Sequence, residues 1–430
     1  MRESQFFVYI QRIMIAVMFL FTVPVFADIT YNPNNCIADI NSDCDSTRRQ
    51  CVAVSGKVFT GWYTADSGGT YIEDLTTYNG TAYAHCATGK FAIAIKTPAN
   101  KQFVFTRAFS GTLNIDWGDG NTTTSTSTNM YDVSVGTHTY ANANTVYVIV
   151  LTDASVTNYA GYSNYATIKF GTTPTAIINI YGSLGALFPT NTSLEDTRKS
   201  PRFVSSFANA TNLVGPLPPN LFQGITVSVS SMFATTFNGC SALSGYLSPG
   251  IFDSSLTTSA QSYSNNMFNG TNLDTSCPAN TYEVQTSIQK SWLNNKVACE
   301  SCPLYATSPA GSTSANACAC PTNSTLNGGG TECVCDSGYS WNAGYTECTG
   351  SSCPMYNGIC AVACSDTDMN NLKTSTGSSI PIWGNKITTP SINIQHGNTT
   401  CYIPLATGNA PSNSLRINHN GTVYYAVTPQ

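Results

Sequence analysis

Charge is scarce in this chain: of 430 residues only 18 are Lys or Arg and 23 are Asp or Glu, with four histidines and a formal net charge of −5. A weakly acidic balance without a basic patch argues against nucleic acid as a partner. No HExxH, GxSxG or P-loop pattern occurs, and His85, His138, His396 and His419 stand apart from one another. The acids are too scattered to single out a pair for glycoside cleavage. No catalytic residue is therefore assigned, no cofactor is expected, and the chain is read as a non-enzyme. Long apolar runs are also missing after residue 27, where nothing reaches the roughly 18 residues of a membrane span.

The one apolar run lies at the start. Arg2 and Arg12 flank a polar stretch, then Ile13 to Phe26 is almost wholly apolar and ends in Val25-Phe26-Ala27. That is the pattern of a secretory signal peptide, here residues 1–27 with cleavage after Ala27. Cys36 is the first cysteine, so no lipid-modified cysteine follows the cleavage site. The expected location is secreted or at the cell surface, with no transmembrane segment once the signal is removed.

Seventeen cysteines in an exported chain imply disulfides rather than zinc, because thiols pair with one another in an oxidising compartment. An odd total leaves at least one unpaired. Cys240 is the expected one, since Phe237-Asn-Gly-Cys240-Ser-Ala-Leu243 is an apolar context where a free thiol behaves as a small buried hydrophobe. The disulfide candidates are then Cys36, Cys44, Cys51, Cys86, Cys277, Cys299, Cys302, Cys318, Cys320, Cys333, Cys335, Cys348, Cys353, Cys360, Cys364 and Cys401, with connectivity left open.

The polar surface comes from Ser, Thr, Asn and Gly, with 23 Tyr among the aromatics. Thr and Tyr sit well on half-exposed strands, so the expected class is mainly β and multi-modular. Residues 28–98 read as a cysteine-bracketed module. Phe59, Trp62 and Tyr63 before Gly68-Gly69 predict two short strands and a tight connection. Residues 56–75 resemble the end of a Listeria–Bacteroides repeat, which implies a small β-grasp-like fold.

Residues 99–200 form the next segment. Leu113, Ile115 and Trp117 alternate with polar residues, Asp119-Gly120 makes a turn, and a Thr/Ser-rich loop leads to His138-Thr139-Tyr140 and a strand over Val146–Leu151. This order resembles a polycystic-kidney-disease-like β-sandwich followed by a connector. Asp116 and Asp119 are the candidate Ca²⁺ ligands, but no run of closely spaced oxygen ligands surrounds them, and capping of the turn is the favoured role. His138 is read as a turn or core residue.

Between 201 and 276 the chain repeats itself. Phe207, Leu213, Leu217 and Phe222 recur as Phe237, Leu243, Leu247 and Phe252, with Cys240 between; Phe268 and Leu273 begin a third copy. One unit cannot bury its own apolar edge, so these predict a short, irregular stacked solenoid. Met232-Phe233 and Met267-Phe268 make the segment resemble BspA-like leucine-rich repeats of surface proteins.

Residues 277–365 are dense in cysteine, with ten between 299 and 364, and must be held by disulfides rather than by a core. Cys333-Val-Cys335-Asp-Ser-Gly338-Tyr339 resembles the second half of an EGF-like module. Residues 366–430 read as a C-terminal β module of five strands, at Ile380–Trp383, Ile392–Ile394, Tyr402–Leu405, Leu415–Ile417 and Val423–Val427. The resemblances together imply adhesion or protein–protein interaction through the repeat face, the partner being an extracellular protein. A glycan-binding surface protein and a structural envelope spacer are the alternatives. Glycan binding predicts exposed aromatics grouped together; a spacer predicts none.

Overall fold

The computed structural model describes residues 29–44, 49–162, 164–194, 198–229, 231–256, 266–286, 288, 290–336, 339–342 and 344–350, and the backbone of short strands between 355 and 426. The expected signal segment, Cys353, Cys364 and the strand at Ile380–Trp383 lie outside the described residues. The fold is mainly β, with 35% strand against 6% helix, and it is spread over several small sheets. It divides into two compact units: one runs to Cys277 and includes Glu283–Glu300, the other comprises Pro278–Tyr282 and the chain from Ser301. Among the described residues no helix is long and apolar enough to cross a membrane.

The first unit begins with β1 (Ile29–Asn32), β2 (Lys57–Tyr63) and β3 (Gly80–Thr88), which form a three-stranded sheet in the order β1-β3-β2. Gly68 and Gly69 do turn the chain after β2, but Tyr71 returns only as a single bridge to Tyr63, and the partner of β2 is β3. The disulfides Cys36–Cys86 and Cys44–Cys51 fasten the segment before β2.

The central sheet is built from β4 (Phe91–Lys96), β7 (Phe109–Asp116), β8 (Thr122–Ser127), β11 (Val146–Tyr159) and β13 (Ile177–Gly182), in the order β13-β4-β11-β7-β8. Two-residue strands, β5 (Gln102–Phe103) with β10 (His138–Thr139) and β6 (Thr106–Arg107) between β9 (Val133–Ser134) and β12 (Ile168–Lys169), form smaller sheets. Neighbouring side chains along a strand point to opposite faces. Phe91, Ile93 and Ile95 of β4 therefore enter one core, with Ile149 and Leu151 of β11. Ala92 and Ala94, with Val148 and Val150, enter another, against Phe59 and Trp62 of the N-terminal module. Small side chains on that second face let the module lie close to the sheet.

Polar bolts cross the same junction. The Tyr71 hydroxyl is 2.5 Å from that of Tyr181 and accepts from Asn179 Nδ2, while Gln50 Nε2 donates to the carbonyls of Ile180 and Pro216. A boundary at residue 98 thus falls inside the structure, because β4 belongs to the central sheet and covers both cores. The expected Thr/Ser-rich loop is likewise partly strand. Thr122–Ser127 pairs with β7 as an outer strand whose exposure alternates, which β-branched Thr tolerates well.

After β12 the chain winds into tiers that register on one another. Phe170, Phe207, Phe237 and Phe268 stack face to face, with centroids 5.2, 5.1 and 5.5 Å apart. Backbone N–H groups of one tier donate to carbonyls of the next: Phe170 to Ser206, Phe207 to Thr236, Phe237 to Met267. A second column runs through Phe222 and Phe252, joined by a parallel bridge. Gly185 and Gly215 sit where a Cβ would strike the carbonyls of Gln223 and Ser244 in the following tier. The stacking begins at Thr167–Phe170, ahead of the residue 201 expected from sequence, and its core is continuous with that of the central sheet.

The last tier is closed by residues from 288 to 299 rather than by another tier of the same kind. Asn294 Oδ1 accepts the N–H of Phe268, which in earlier tiers bonds to the next turn, and Lys296 Nζ donates to the carbonyls of Thr271 and Leu273. Leu293 and Ile288 cover the apolar end, and Cys277–Cys299 clamps it. Both cysteines belong to the first unit; the chain leaves that unit after Cys277, returns at Glu283 and leaves it again after Glu300.

The second unit is held differently. Cys302–Cys318, Cys320–Cys333 and Cys335–Cys348 close consecutive loops, and its buried apolar side chains among the described residues are few: Ala306, Cys333 and Cys348. Beyond residue 360 the strands Val362–Ala363, Ser391–His396, Thr399–Ala406, Arg416–His419 and Thr422–Ala426 make one five-stranded sheet. Those from 391 onward overlap the four later strands expected from sequence.

Candidate functional site

The two aspartates and the histidine singled out in the sequence meet at the end of β7. Trp117 is buried there, its indole N–H donating to Thr123 Oγ1, and the positive φ of Gly118 turns the chain. Asp116 Oδ1 accepts from the Gly118 N–H at 2.9 Å, and Asp119 Oδ1 from that of Asn121 at 3.1 Å. His138 Nε2 donates to Asp119 Oδ2 at 2.8 Å. The imidazole lies flat on the Trp117 indole, 4.6 Å away, and Tyr140 meets it edge-on before donating to the Trp117 carbonyl.

Burial works to raise the Asp119 pKa, but hydrogen bonds from His138 and Asn121 outweigh it and hold the carboxyl below its usual range. Burial, then the Asp119 charge, raises that of Tyr140. The carboxylates are thus engaged with the turn and the histidine. No group of three His, Cys, Asp or Glu side chains able to hold a metal exists among the described residues. Among the described residues His138 makes no hydrogen bond to a Ser, Thr or Cys side chain.

All the repeat positions singled out, from Phe207 and Leu213 to Phe268 and Leu273, are buried in the stack. Cys240 is free and buried there; its thiol contacts the Phe207 carbonyl at 3.1 Å, and burial pushes its pKa up to about 12. Twelve of the sixteen disulfide candidates are joined in six bonds. Cys360 and Cys401 lie in strands whose side chains are not described. These six bonds are those of a chain that folds in an oxidising environment.

The outside of the stack is chemically plain. From Phe203 to Phe252 the sequence contains no Asp, Glu, Lys, Arg or His. Thr211, Asn212, Ser241 and Ser244 are exposed on successive tiers, with Asn269 on the last. Left-handed backbone recurs two residues after Phe207, Phe237 and Phe268, at Asn209, Gly239 and Gly270, residue types that adopt it readily. The arrangement can offer many hydroxyl and amide groups over a wide area, without charge.

Two groups of aromatic side chains, each with at least one exposed ring, escaped the sequence reading. In the first unit Tyr131 lies 6.0 Å from Tyr162 and 5.1 Å from Tyr165, with 37% and 59% of Tyr131 and Tyr162 exposed. In the second, the rings of Tyr305 and Tyr345 stack at 5.2 Å and 10°, and Trp341 packs 4.9 Å from Tyr305. Tyr345 is 54% exposed. The loops that carry these rings have no regular periodicity, but the second group has a readable signal in a near-repeat, Leu326-Asn-Gly-Gly-Gly-Thr-Glu-Cys333 against Trp341-Asn-Ala-Gly-Tyr-Thr-Glu-Cys348.

No protein-family model matches the sequence, and comparison with curated proteins and with solved structures finds no significant similarity.

Proposed function

We propose that this chain is an exported, non-catalytic contact protein that binds an extracellular protein through the outer face of its stacked repeats. The stack is read as a short solenoid resembling BspA-like leucine-rich repeats, adjoined by a disulfide-rich module. The observation that carries this reading is the uncharged stretch from Phe203 to Phe252 folded into registered tiers, with its Phe side chains inside and Ser, Thr and Asn outside. A face of that kind gains specificity from hydrogen bonds and shape over a wide area rather than from attraction between charges. The disulfides and the apolar N-terminal run support export to the cell surface or the medium.

The test is binding of the oxidised chain to a panel of extracellular-matrix and cell-surface proteins, alongside a variant carrying Thr211→Glu, Ser241→Glu and Asn269→Glu. These positions are exposed, so the variant should fold. Saturable binding lost in the variant supports the repeat face. Equal binding by both proteins refutes it. Deleting the repeats is not an equivalent test, because their core is continuous with the central sheet.

Glycan contact is the second reading, favoured by the two exposed aromatic groups. Aromatic faces take up the C–H faces of sugar rings while amides and hydroxyls bond their hydroxyl groups. A spacer has no need of such rings in solvent.

A further inference from the structure

The disulfide-rich unit repeats a loop that the sequence reading did not recognise. Its hairpins Ser324–Leu326 with Cys333–Cys335 and Tyr339–Trp341 with Cys348–Gly350 have the same register fifteen residues apart. In both turns the asparagine, Asn327 or Asn342, accepts the N–H of the threonine four residues on, Thr331 or Thr346, and donates to its hydroxyl. The residue just before that threonine has left-handed backbone. It is Gly330 in the earlier copy, with φ +66°, and Tyr345 in the later one, with φ +53°.

A second left-handed position shows the same substitution. Three residues after a half-cystine stand Asn280 in Cys277-Pro-Ala-Asn, Asn323 in Cys320-Pro-Thr-Asn and Tyr305 in Cys302-Pro-Leu-Tyr, with φ +66°, +60° and +66°. Asn and Gly accept this conformation because a short polar side chain or none relieves the clash; a tyrosine there is strained. Strain retained at two positions whose relatives in the same chain avoid it points to function rather than to folding. The two exceptional tyrosines are the ones that stack on each other, and Trp341 beside them stands where the earlier copy has Leu326.

We infer that Tyr305, Trp341 and Tyr345 form a stacking platform for a neutral carbohydrate, with the pyranose ring lying against the exposed ring of Tyr345 and the half-buried Tyr305 and Trp341 beside it. This rests on the glycan reading above and is independent of the repeat face. Three features choose the ligand. Residues 301–350 contain no Lys, Arg or His, and Glu332, Asp336 and Glu347 repel anionic chains such as nucleic acid or sulfated glycans. The ring centroids lie 4.9, 5.2 and 6.3 Å apart, which leaves no gap between them for a cation and presents a joined apolar face instead. The phenol hydroxyls and the indole N–H have no hydrogen-bond partner among the described residues, and so remain for sugar hydroxyls.

The experiment uses the full oxidised chain in affinity electrophoresis through a β-1,4-glucan, an α-1,4-glucan, a mannan and a galactan, with a sulfated glycosaminoglycan and polylysine as controls. The variants Tyr305→Asn, Tyr345→Gly and Trp341→Leu restore what the sister loops carry. Retardation by at least one neutral polymer is expected. Each variant should weaken it by about tenfold, the scale of one lost ring contact, while the melting temperature stays level or rises as backbone strain is relieved.

Loss of binding together with a large fall in melting temperature overturns the inference, since the rings would then be a structural plug. Retardation unchanged in the variants but lost on Tyr131→Ala with Tyr162→Ala also overturns it, while leaving glycan contact standing at the other group. No retardation by any neutral polymer overturns both. Retardation by polylysine or the sulfated chain alone overturns the choice of a neutral ligand.

Discussion

Phe237 lies with its ring parallel to that of Phe207, 5.1 Å away and tilted by 4°, although thirty residues separate them in sequence. Each ring is fully buried and shared between tiers, so neither tier keeps its packing alone. Phe237→Ala should therefore destabilise the first unit by about 3–5 kcal/mol, at the upper end for a core truncation. Urea denaturation followed by tryptophan fluorescence reads this. Thr211→Glu, on the outside of the same stack, should change stability by less than about 0.5 kcal/mol.

That stack was partly legible from sequence, and the reason is physical. Phe207, Leu213, Leu217 and Phe222 recur at matching offsets because every tier must bury the same edge. The tier around Phe170 was missed, since it includes β13 and the helix Leu184–Leu187 and lacks the left-handed Asn or Gly found two residues after Phe207, Phe237 and Phe268. The far end was missed for the opposite reason: Asn294 and Lys296 act through single hydrogen bonds that leave no periodic trace. Cys240 could be singled out because its apolar neighbours were visible. The Tyr305–Tyr345 platform joins loops 40 residues apart, and no local pattern shows which turns approach each other.

Lys296 should matter more than an ordinary surface lysine. Burial holds its pKa below the usual value, against the opposing charge of Asp274, and its ammonium satisfies two carbonyls of the last tier. Lys296→Met leaves those carbonyls without their donor, a loss of about 1–3 kcal/mol. Hydrogen exchange should localise the change, with faster exchange around residues 268–274 and little effect near Phe170. Uniform acceleration across the first unit would show that Lys296 is not an end cap.

Asp119 makes the WGDG turn sensitive to acid. A carboxyl whose folded pKa is depressed adds stability that is present above its unfolded value, about 3.9, and lost as pH falls through the folded value. Wild-type protein should lose stability below about pH 4 more steeply than Asp119→Asn, and the two should converge in strong acid. Thermal melts from pH 7 to pH 2 check this. Because the same oxygens serve His138 and Asn121, added Ca²⁺ should leave the wild-type melting temperature unchanged.

Reduction should separate the two units. The first has large apolar cores, whereas the second relies on loops closed by Cys302–Cys318, Cys320–Cys333 and Cys335–Cys348. Each such bond contributes about 3 kcal/mol. Limited proteolysis in dithiothreitol should cut first between residues 301 and 350 and leave a resistant fragment ending near residue 300. Simultaneous loss of both units would contradict this division.

The most direct test of the central claim is the salt dependence of binding by the repeat face. The oxidised chain and its Thr211→Glu, Ser241→Glu, Asn269→Glu variant are compared on the extracellular protein panel at low salt and at about 0.5 M, where exposed charges are largely screened. An uncharged face predicts saturable binding that persists at high salt and disappears in the variant. Binding that vanishes with salt, or survives the three glutamates, would contradict it.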